Sequence, residues 1–523
     1  MRFAGVLVVV CFLSGALWAA VIPIGGEIQV NTYTTGNQWG ASVAAGAGGS
    51  FVVVWQSYGQ DGSGNGIFGR RFDSTGLPLG PEFLVNSHTS SYQEFPAIAS
   101  DAAGGFVVVW QSWYQDGSNS GVFGRRFDSS GAPIGGDFQV NTYTSGYQER
   151  PSIASNADGD FVVTWNSLSQ DGSSWGVFAQ SFDRTGTPAG SEFRVNAYTT
   201  GMQADSSVTS DAGGDFVVVW TSQDQDGSSL GVFGRRFDST GASLGSDFQV
   251  NVYTTGDQES ASVASNGDGD FVVVWQTWDQ DGSSWGVFGR RFNSNGVPLG
   301  PEFQVNTYTT YHQVSPSVAS DGAGNFVTTW TSVDQDGSYA GVFGQRFDSA
   351  GAPAGTEFQV NTYTTSGQAA PSVATNASGD FMVAWESSDQ DGSYLGVFAQ
   401  PFLGRSPALT SPLDGGTLDC GDPRVVRPTF AWDDDGYDRF RVFIGWDPGF
   451  GKGLRLTSGD TLLRTTSWTP PRKKWRKACA QALASDPSNP TLYVTVLGVD
   501  RDLSKKDPLR KRFSPVVQVD VQY

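Results

Sequence analysis

The chain has 523 residues and a formal net charge of −20 at pH 7. Such an acidic chain repels phosphate groups, which excludes nucleic acid as a partner, and its length predicts more than one domain. Hydrophobic residues make up 38% of the chain, enough for a sizeable core, and the 68 glycines alternate with apolar runs, which indicates many tight turns.

The first twenty residues have the order of a secretory signal. Arg2 precedes the apolar run "GVLVVVCFLSGALWA", and the small residues Ala19 and Ala20 follow it. We therefore predict a signal peptide over residues 1–20. The mature protein is then secreted or extracytoplasmic, with no membrane insertion after cleavage. An uncleaved N-terminal anchor is the alternative.

A 55-residue unit repeats seven times without insertion or deletion. Its marker "FVVVWQS" stands at Phe51 and Phe106 and returns in variants through Phe381. Each unit holds four short apolar runs, such as "PAIAS", "FVVVWQS", "GVFGRRFD" and "DFQVN", which are typical of strands. Because side chains alternate along a strand, "FVVVW" is apolar on both faces, so each sheet must be covered on both sides.

The ends of the repeat region complete each other. A lone copy of the fourth run, "EIQVN", begins at Glu27 before any other strand, whereas the last unit stops at Leu403 after three runs. Together they make one blade and leave no open sheet edge. We predict an all-β fold, a seven-bladed β-propeller of four-stranded blades over residues 22–403, closed by the N-terminal strand. A linear β-solenoid is the competing architecture.

The remaining chain breaks the period. Residues 404–415 are predicted as a linker, and residues 416–523 as a small β-sandwich of short alternating strands. Within it, "TSWTPP" and "LYVTVLGVD" resemble strands of fibronectin type III and immunoglobulin-like domains. After signal cleavage only Cys420 and Cys479 remain, which predicts one disulfide in an exported chain; two separate buried thiols are the alternative.

The connections before the first strand and after the second strand of each blade share one rim of the propeller. This rim is predicted to bind ligand. A glutamine precedes each first strand, and aromatic residues flank "QDGS" in six of the seven repeats. Stacking faces beside amides suit sugars, although a buried Gln can instead satisfy backbone groups. The predicted ligand-binding residues are Gln38, Gln93, Gln148, Gln203, Gln258, Gln313 and Gln368 with Tyr58, Trp113, Trp175, Trp285, Tyr339 and Tyr394.

Calcium is the one cofactor that the sequence suggests. Four repeats read "DQDGS", with carboxylates two residues apart before a glycine, which partly matches a calcium loop. The bidentate Glu of the full pattern is missing, and Asp-Gly is also ordinary turn chemistry. The predicted calcium ligands are Asp224, Asp226, Asp279, Asp281, Asp334, Asp336, Asp389 and Asp391.

The repeat resembles the tandem "VVVWQS…QDG…GxFGQRF" repeats of secreted and surface bacterial proteins, some of which carry hemolysin-type calcium-binding sequence. That resemblance covers residues 26–403 and implies no defined activity. The stretch "SQDGSSW" at Ser169 is similar to the Asp-box of sialidases but is one residue too short. With no arginine triad or Tyr-Glu pair to match, sialidase activity is not predicted.

The predicted function is a non-enzymatic binding or adhesion module for a glycan or an extracellular protein. Catalysis needs unlike groups in distinct roles, and near-identical blades offer the same groups seven times. The histidines, His88 and His312, have no Ser or Cys motif nearby, so no catalytic residue is assigned. Two alternatives stay open: a structural spacer, and a glycan-cleaving propeller that uses rim carboxylates.

Overall fold

The computed structural model describes residues 21–404 throughout and, beyond them, strands between residues 409 and 522. Residues Val21–Arg405 form one compact unit, and the later strands belong to another. Within the described residues, no helix has the length and apolarity needed to cross a membrane. The predicted signal peptide over residues 1–20 lies outside the described residues.

The unit Val21–Arg405 consists of seven antiparallel sheets, here called blades 1 to 7. In blades 1 to 6 the strands run in chain order from an inner to an outer strand, and in blade 7 the N-terminal strands are the outer ones. The inner strands are Gln38–Ala45, Gln93–Ser100, Gln148–Ser155, Gln203–Ser210, Gln258–Ser265, Gln313–Ser320 and Gln368–Thr375. The second strands are Phe51–Tyr58, Phe106–Trp113, Phe161–Leu168, Phe216–Gln223, Phe271–Trp278, Phe326–Val333 and Phe381–Ser388. The third strands are Asn65–Phe72, Ser120–Phe127, Trp175–Phe182, Leu230–Phe237, Trp285–Phe292, Ala340–Phe347 and Leu395–Leu403. The outer strands are Phe83–Leu84, Pro133–Gln139, Phe193–Arg194, Phe248–Gln249, Phe303–Gln304, Phe358–Gln359 and, in blade 7, Ile28–Gln29 with Ile22–Pro23.

The ring is closed by the N-terminal strand, as predicted. Ile28 pairs with Ala399 and Gln29 with Phe398, so the start of the chain forms the outer edge of blade 7. The inner strands of blades 7 and 1 also meet, where Val43 N donates to Ser372 Oγ at 3.2 Å. The seven-bladed propeller is therefore confirmed, and the linear solenoid is excluded.

The core lies between the blades and repeats with them. Trp165 and the equivalent tryptophans of the other six second strands are fully buried, and side chains from neighbouring sheets complete each apolar cluster. Within a blade, a pair such as Phe161 and Phe182 stacks with ring centroids 5.0 Å apart. Because both faces of each second strand are covered, burial of large apolar side chains, at about 1.5–3 kcal/mol each, stabilises the ring as a whole.

The strands beyond residue 406 form two sheets in the described part of this region. One contains Leu409–Ser411, Phe430–Trp432 and Ser467–Trp468; the other contains Thr417–Asp419, Arg439–Gly445, Leu456–Thr457, Thr491–Val499, Lys511–Phe513 and Val517–Gln522. Cys420 and Cys479 lie outside the described residues, so the disulfide stays a prediction. The β-sandwich, its resemblance to fibronectin type III domains and the linker also stay predictions.

Candidate functional site

The upper rim is where the inner strands begin, the second strands end and the third strands begin. In blade 1, Gln38 pairs with Ser57, and Ser57 pairs with Gly66, which places these three strand ends at one edge. The sequence-based grouping of the glutamine, "QDGS" and aromatic residues on one rim is consistent with this register. What the grouping does not reveal is which side chains face solvent.

The seven glutamines of the upper rim are buried framework residues, which corrects their assignment as ligand-binding. All seven have no exposed surface. In blade 3, Gln148 Nε2 donates to Ser145 O at 3.0 Å, and Gln148 Oε1 accepts from Asn141 Nδ2 at 3.4 Å. Asn141 Oδ1 in turn accepts from Val122 N of blade 2, so this repeated network joins neighbouring blades. Both ends of the amide are occupied by the protein.

The "QDGS" aspartates form turns. Asp226 Oδ1 accepts from Ser228 N at 3.0 Å, and Asp224, two residues earlier, has a left-handed φ of 58°. Gly227 follows with a φ of 88°, which a residue with a side chain rarely adopts. Among residues 21–404, no group of three or more His, Cys, Asp or Glu side chains is arranged to hold a metal ion. Calcium binding by these residues stays a prediction.

The predicted aromatic residues lie at the upper rim in two kinds of position. Tyr339 and Tyr394 precede third strands and are each 77% exposed. Trp113, Trp175 and Trp285 are the first or last residues of strands, and Tyr58 also ends a strand.

Some of these aromatic rings pack together in clusters and are not spaced one to a blade. Trp113 and Trp175 both pack on Tyr147, with ring centroids 6.0 and 6.5 Å away, so an aromatic cluster spans blades 2 and 3. Trp285 packs against Trp278 at 5.4 Å in blade 5. The aromatic surface of the rim is therefore asymmetric.

Charged residues that sequence reasoning missed lie where the inner strands enter the central channel. The two positions after each rim glutamine carry Glu94 in blade 2, Glu149 and Arg150 in blade 3, Asp205 in blade 4 and Glu259 in blade 5. We call these five residues the mouth cluster. At the same positions, blades 6 and 7 carry only Val, Ser and Ala. Four neighbouring blades thus bring carboxylates to one side of the mouth.

A β-bulge lies at the second of these two positions. The pairing of each inner strand shifts register just after the first two residues, and the residue in the shift has a left-handed φ: 52° at Phe95, 51° at Arg150 and 53° at Asp205. A left-handed conformation costs a residue with a side chain on the order of 1 kcal/mol or more. Bulges are frequent beside active sites because they re-aim a side chain. Here each one presents a variable residue to the mouth.

The cluster contains an ion pair between blades 3 and 4. Arg150 Nη1 lies 3.2 Å from Asp205 Oδ1, and the two side chains are 53% and 38% exposed. Arg150 also lies over the ring of Phe95, 5.3 Å from its centroid. An ion pair this exposed contributes at most about 1 kcal/mol. Stability therefore gives little reason for charges at this strained position.

Burial raises the pKa of two carboxyl groups in the cluster. For Glu149, burial is the main cause, Arg150 opposes it, and the charges of Asp205 and Glu94 add to the rise. For Glu259, burial is again the main cause of the raised pKa. A hydrogen bond from Gln276 lowers this pKa, and the charges of nearby aspartates raise it further. Raised pKa values favour the protonated acid, the form that can donate a proton.

Glu94 has a different environment. Its Oε1 accepts from Asn65 Nδ2 at 2.8 Å, and its Oε2 accepts from Trp113 Nε1 at 3.0 Å. Both carboxylate oxygens are thus oriented by N–H donors, and one donor belongs to the aromatic cluster. On the strands that pair with these two acids, the amide oxygens opposite them are buried and have no hydrogen-bond partner in residues 21–404: Gln111 Oε1 opposite Glu94 and Asn166 Oδ1 opposite Glu149.

A sequence signal for the mouth cluster exists. Reading the two positions after each rim glutamine through the seven repeats shows them to vary while their neighbours repeat. The premise that near-identical blades offer identical groups fails at these positions.

No protein-family model matches the chain, and no curated protein matches it. Solved structures similar to it include a protein of unknown function from Dyadobacter fermentans, with 11% identity over 61% of this chain and 97% of that chain and a TM-score of 0.45. They also include a Penicillium chrysogenum α-L-arabinanase complexed with arabinobiose, with 12% identity over 60% and 93% and a TM-score of 0.40. The GH93 α-L-arabinofuranosidase of Fusarium graminearum, also with arabinobiose, has 11% identity over 73% and 98% and a TM-score of 0.40.

The prediction of a non-enzymatic binding or adhesion module is wrong and is not retained. Its premise was that near-identical blades offer the same groups seven times. The mouth carries an asymmetric set of acids, an arginine and aromatic rings instead of seven identical groups. The predicted resemblance to hemolysin-type repeats stays an expectation.

Proposed function

We propose that this protein is a glycan-cleaving propeller enzyme whose active site is the mouth cluster on blades 2 to 5. The observation that carries the proposal is the pairing of two unlike acids on adjacent blades. Glu149 is partly buried with a raised pKa, and Glu94 accepts two N–H hydrogen bonds next to it. Two carboxyl groups in distinct environments are what glycosidic bond cleavage uses.

Glu149 is the proton donor in this proposal. Its proton passes to the glycosidic oxygen as the bond between that oxygen and the anomeric carbon breaks. Glu94 takes the proton of the water molecule whose oxygen attacks the anomeric carbon. One water is consumed, and the products are a sugar with a new reducing end and a sugar with a free hydroxyl. Arg150 and Asp205 bind substrate hydroxyls beside these two acids.

The aromatic cluster provides the binding surface for the rest of the glycan. Trp113, Tyr147 and Trp175 form a continuous group of rings, and Tyr114, 62% exposed, packs on Trp113 at 5.8 Å. Sugar faces stack on such rings. Because Trp113 also donates to Glu94, a glycan on this surface leads directly to the acids. Trp285, Tyr58, Tyr339 and Tyr394 are proposed as outer contacts of a long polymer.

A reducing-end assay tests this proposal. The secreted chain is incubated with a panel of polysaccharides that begins with arabinan, and each active substrate is repeated with Glu94→Gln. The expected result is release of reducing ends by the parent protein and a loss of 100-fold or more in the variant. Glu386→Gln, which lies in blade 7 and outside the mouth cluster, is the control and retains the parent rate.

Two results would overturn the proposal. One is hydrolysis that Glu94→Gln leaves intact, which would place the chemistry elsewhere. The other is the absence of cleavage across the whole panel, which would favour the structural spacer. The anomeric form of the first product, read by NMR, reports whether Glu94 acts as a base or as a nucleophile.

A further inference from the structure

Three blades of the mouth hold a glutamate opposite an amide: Glu94 with Gln111 in blade 2, Glu149 with Asn166 in blade 3 and Glu259 with Gln276 in blade 5. Blades 3 and 5 use the amide differently. In blade 5, Glu259 pairs across the strands with Gln276. Gln276 Nε2 donates to Glu259 Oε1 at 2.9 Å, while Gln276 Oε1 accepts from Ser315 N, the bulge residue of blade 6, at 2.8 Å. The longer amide is occupied at both ends, and its N–H group faces the acid.

In blade 3, the equivalent pair is Glu149 with Asn166. Asn166 is 2% exposed, and its Oδ1 has no hydrogen-bond partner among residues 21–404. Asparagine is one methylene shorter than glutamine, and no hydrogen bond joins its Oδ1 to the amide of Asp205, the bulge residue of blade 4. A buried acceptor without a partner is destabilising, because it has lost its hydrogen bond to water and gained none in return. A hydrogen-bond donor close to Asn166 Oδ1 would therefore stabilise the fold.

Glu149 is the donor that the fold offers. Residues paired across antiparallel strands have Cβ atoms about 4.5–5.5 Å apart on the same face of the sheet. A neutral carboxylic acid carries one O–H donor, and an ionised one carries none. We propose that Asn166 is a positioning residue that keeps the proton on Glu149, by accepting the O–H of the protonated carboxyl at its Oδ1. That this proton serves catalysis rests on the proposed function; the hydrogen bond itself does not.

The surrounding charges agree with this assignment. Burial raises the pKa of Glu149, Asp205 of blade 4 and Glu94 of blade 2 add to the rise, and Arg150 opposes it. An acceptor that bonds only to the neutral acid favours the same protonated form. Glu259 lacks that arrangement because its amide partner presents N–H. The two acids would thus differ in proton affinity through the amide atom that the opposing residue presents to them.

The substitution Asn166→Gln converts blade 3 to the blade 5 pattern. We expect the new Oε1 to accept from Asp205 N and the new Nε2 to donate to Glu149, which lowers the pKa of Glu149. Thermal unfolding between pH 4 and pH 7 measures this without any substrate. The proteins compared are the parent, Asn166→Gln, Glu149→Gln and the double variant.

The sign follows from linkage. A carboxyl whose pKa is raised by folding weakens the fold as pH rises from its unfolded pKa through its folded pKa. Glu149→Gln should therefore raise Tm relative to the parent increasingly from pH 4 to pH 7. When Glu149→Gln is added to the Asn166→Gln variant, the pH-dependent gain in Tm should be smaller or should become a loss. An equal gain in both backgrounds would overturn the proposal.

The reverse exchange protects the test against a variant that fails to fold. Gln276→Asn should create the blade 3 pattern in blade 5 and enlarge the pH-dependent gain in Tm produced by Glu259→Gln. No change in that gain would contradict the proposed role of the shorter amide.

If hydrolysis is found, a second readout follows. The rate should fall as pH rises through the pKa of Glu149, and Asn166→Gln should move that fall to lower pH. At a pH above the Glu149 pKa of both proteins, the variant should be about tenfold slower than the parent for each unit by which its Glu149 pKa is lower. If no glycan is cleaved, the unfolding measurement still decides whether Asn166 holds the proton. Failure of the hydrogen bond and failure of the proposed function are therefore distinguishable.

Discussion

The buried framework and the mouth cluster of the same rim follow opposite rules. The framework repeats in all seven blades: Gln148 and its six equivalents are buried and occupied by the protein at both ends of the amide. The mouth differs from blade to blade, is partly exposed and carries charges at strained backbone positions. The contrast teaches that in a symmetric ring the repeated polar residues maintain the fold, whereas the exceptions to the repeat are the candidates for chemistry.

Ring closure gives the largest expected effect on the framework. Deleting residues 22–32 removes both N-terminal strands that pair with Leu395–Leu403 and the hydrogen bond from Val397 N to Asn31 Oδ1. We expect a sharp fall in Tm, because an open edge of blade 7 is exposed and the contact between blades 7 and 1 weakens. Calorimetry of the purified protein measures it. An unchanged melting curve would show that closure contributes nothing.

Removing one core ring should have the next largest effect. Trp165→Ala empties a fully buried position that packs between blades 2 and 3. The expected loss is about 3–5 kcal/mol in the free energy of unfolding. Denaturant titration measures it, and Tyr339→Ala, which removes an exposed aromatic ring of the upper rim, is the control with little expected change. Equal losses would break the distinction between buried framework and exposed rim.

Gln148 and Glu149 are adjacent in sequence and belong to different regions. Gln148→Ala leaves Asn141 Nδ2 and Ser145 O without one partner each, so we expect a loss of about 1–3 kcal/mol in stability. Glu149→Gln removes a partly buried acid and should cost no stability at neutral pH. Denaturant titration of the two variants side by side measures the difference, and the reverse order would contradict the assignment of the two regions.

The smallest expected effect concerns Glu386, a half-buried acid at the junction of blades 7 and 1. Its Oε1 accepts from Gly40 N at 2.7 Å, as Gln56 Oε1 accepts from Phe95 N at 2.8 Å. Burial raises the pKa of Glu386, so its ionisation weakens the fold as pH rises through that value. Glu386→Gln keeps the acceptor and should raise Tm on the order of 1 °C at pH 7.

The control for this substitution is its reverse. Gln56→Glu should lower Tm at pH 7 at the junction of blades 1 and 2. Both differences should vanish below the ordinary Glu pKa of about 4.3, where the acids are protonated in folded and unfolded chains alike. A difference for Glu386→Gln that persists at pH 3.5 would show that shape, and not ionisation, is its cause.

The sequence was sufficient for the ring but not for the site. The 55-residue period, the two-faced apolar strand at Phe51 and the lone "EIQVN" at Glu27 predict seven closed blades, because strand periodicity and edge pairing are local rules. The direction of the Gln148 amide is not such a rule, since a rim glutamine can face solvent or the blade. Glu94 and Glu259 are 165 residues apart in sequence. Only the closed ring brings their blades to one mouth.

Glu149 decides the central claim that chemistry resides in the mouth and not in the framework. The measurement is the initial rate of glycosidic cleavage by the parent protein and by Glu149→Gln, on the most active glycan of the panel, with Tm recorded for the same samples. We expect a rate loss of about 100-fold to 10,000-fold, with Tm equal to or above that of the parent. Full activity in Glu149→Gln, or a rate loss that only accompanies a fall in Tm, would contradict it.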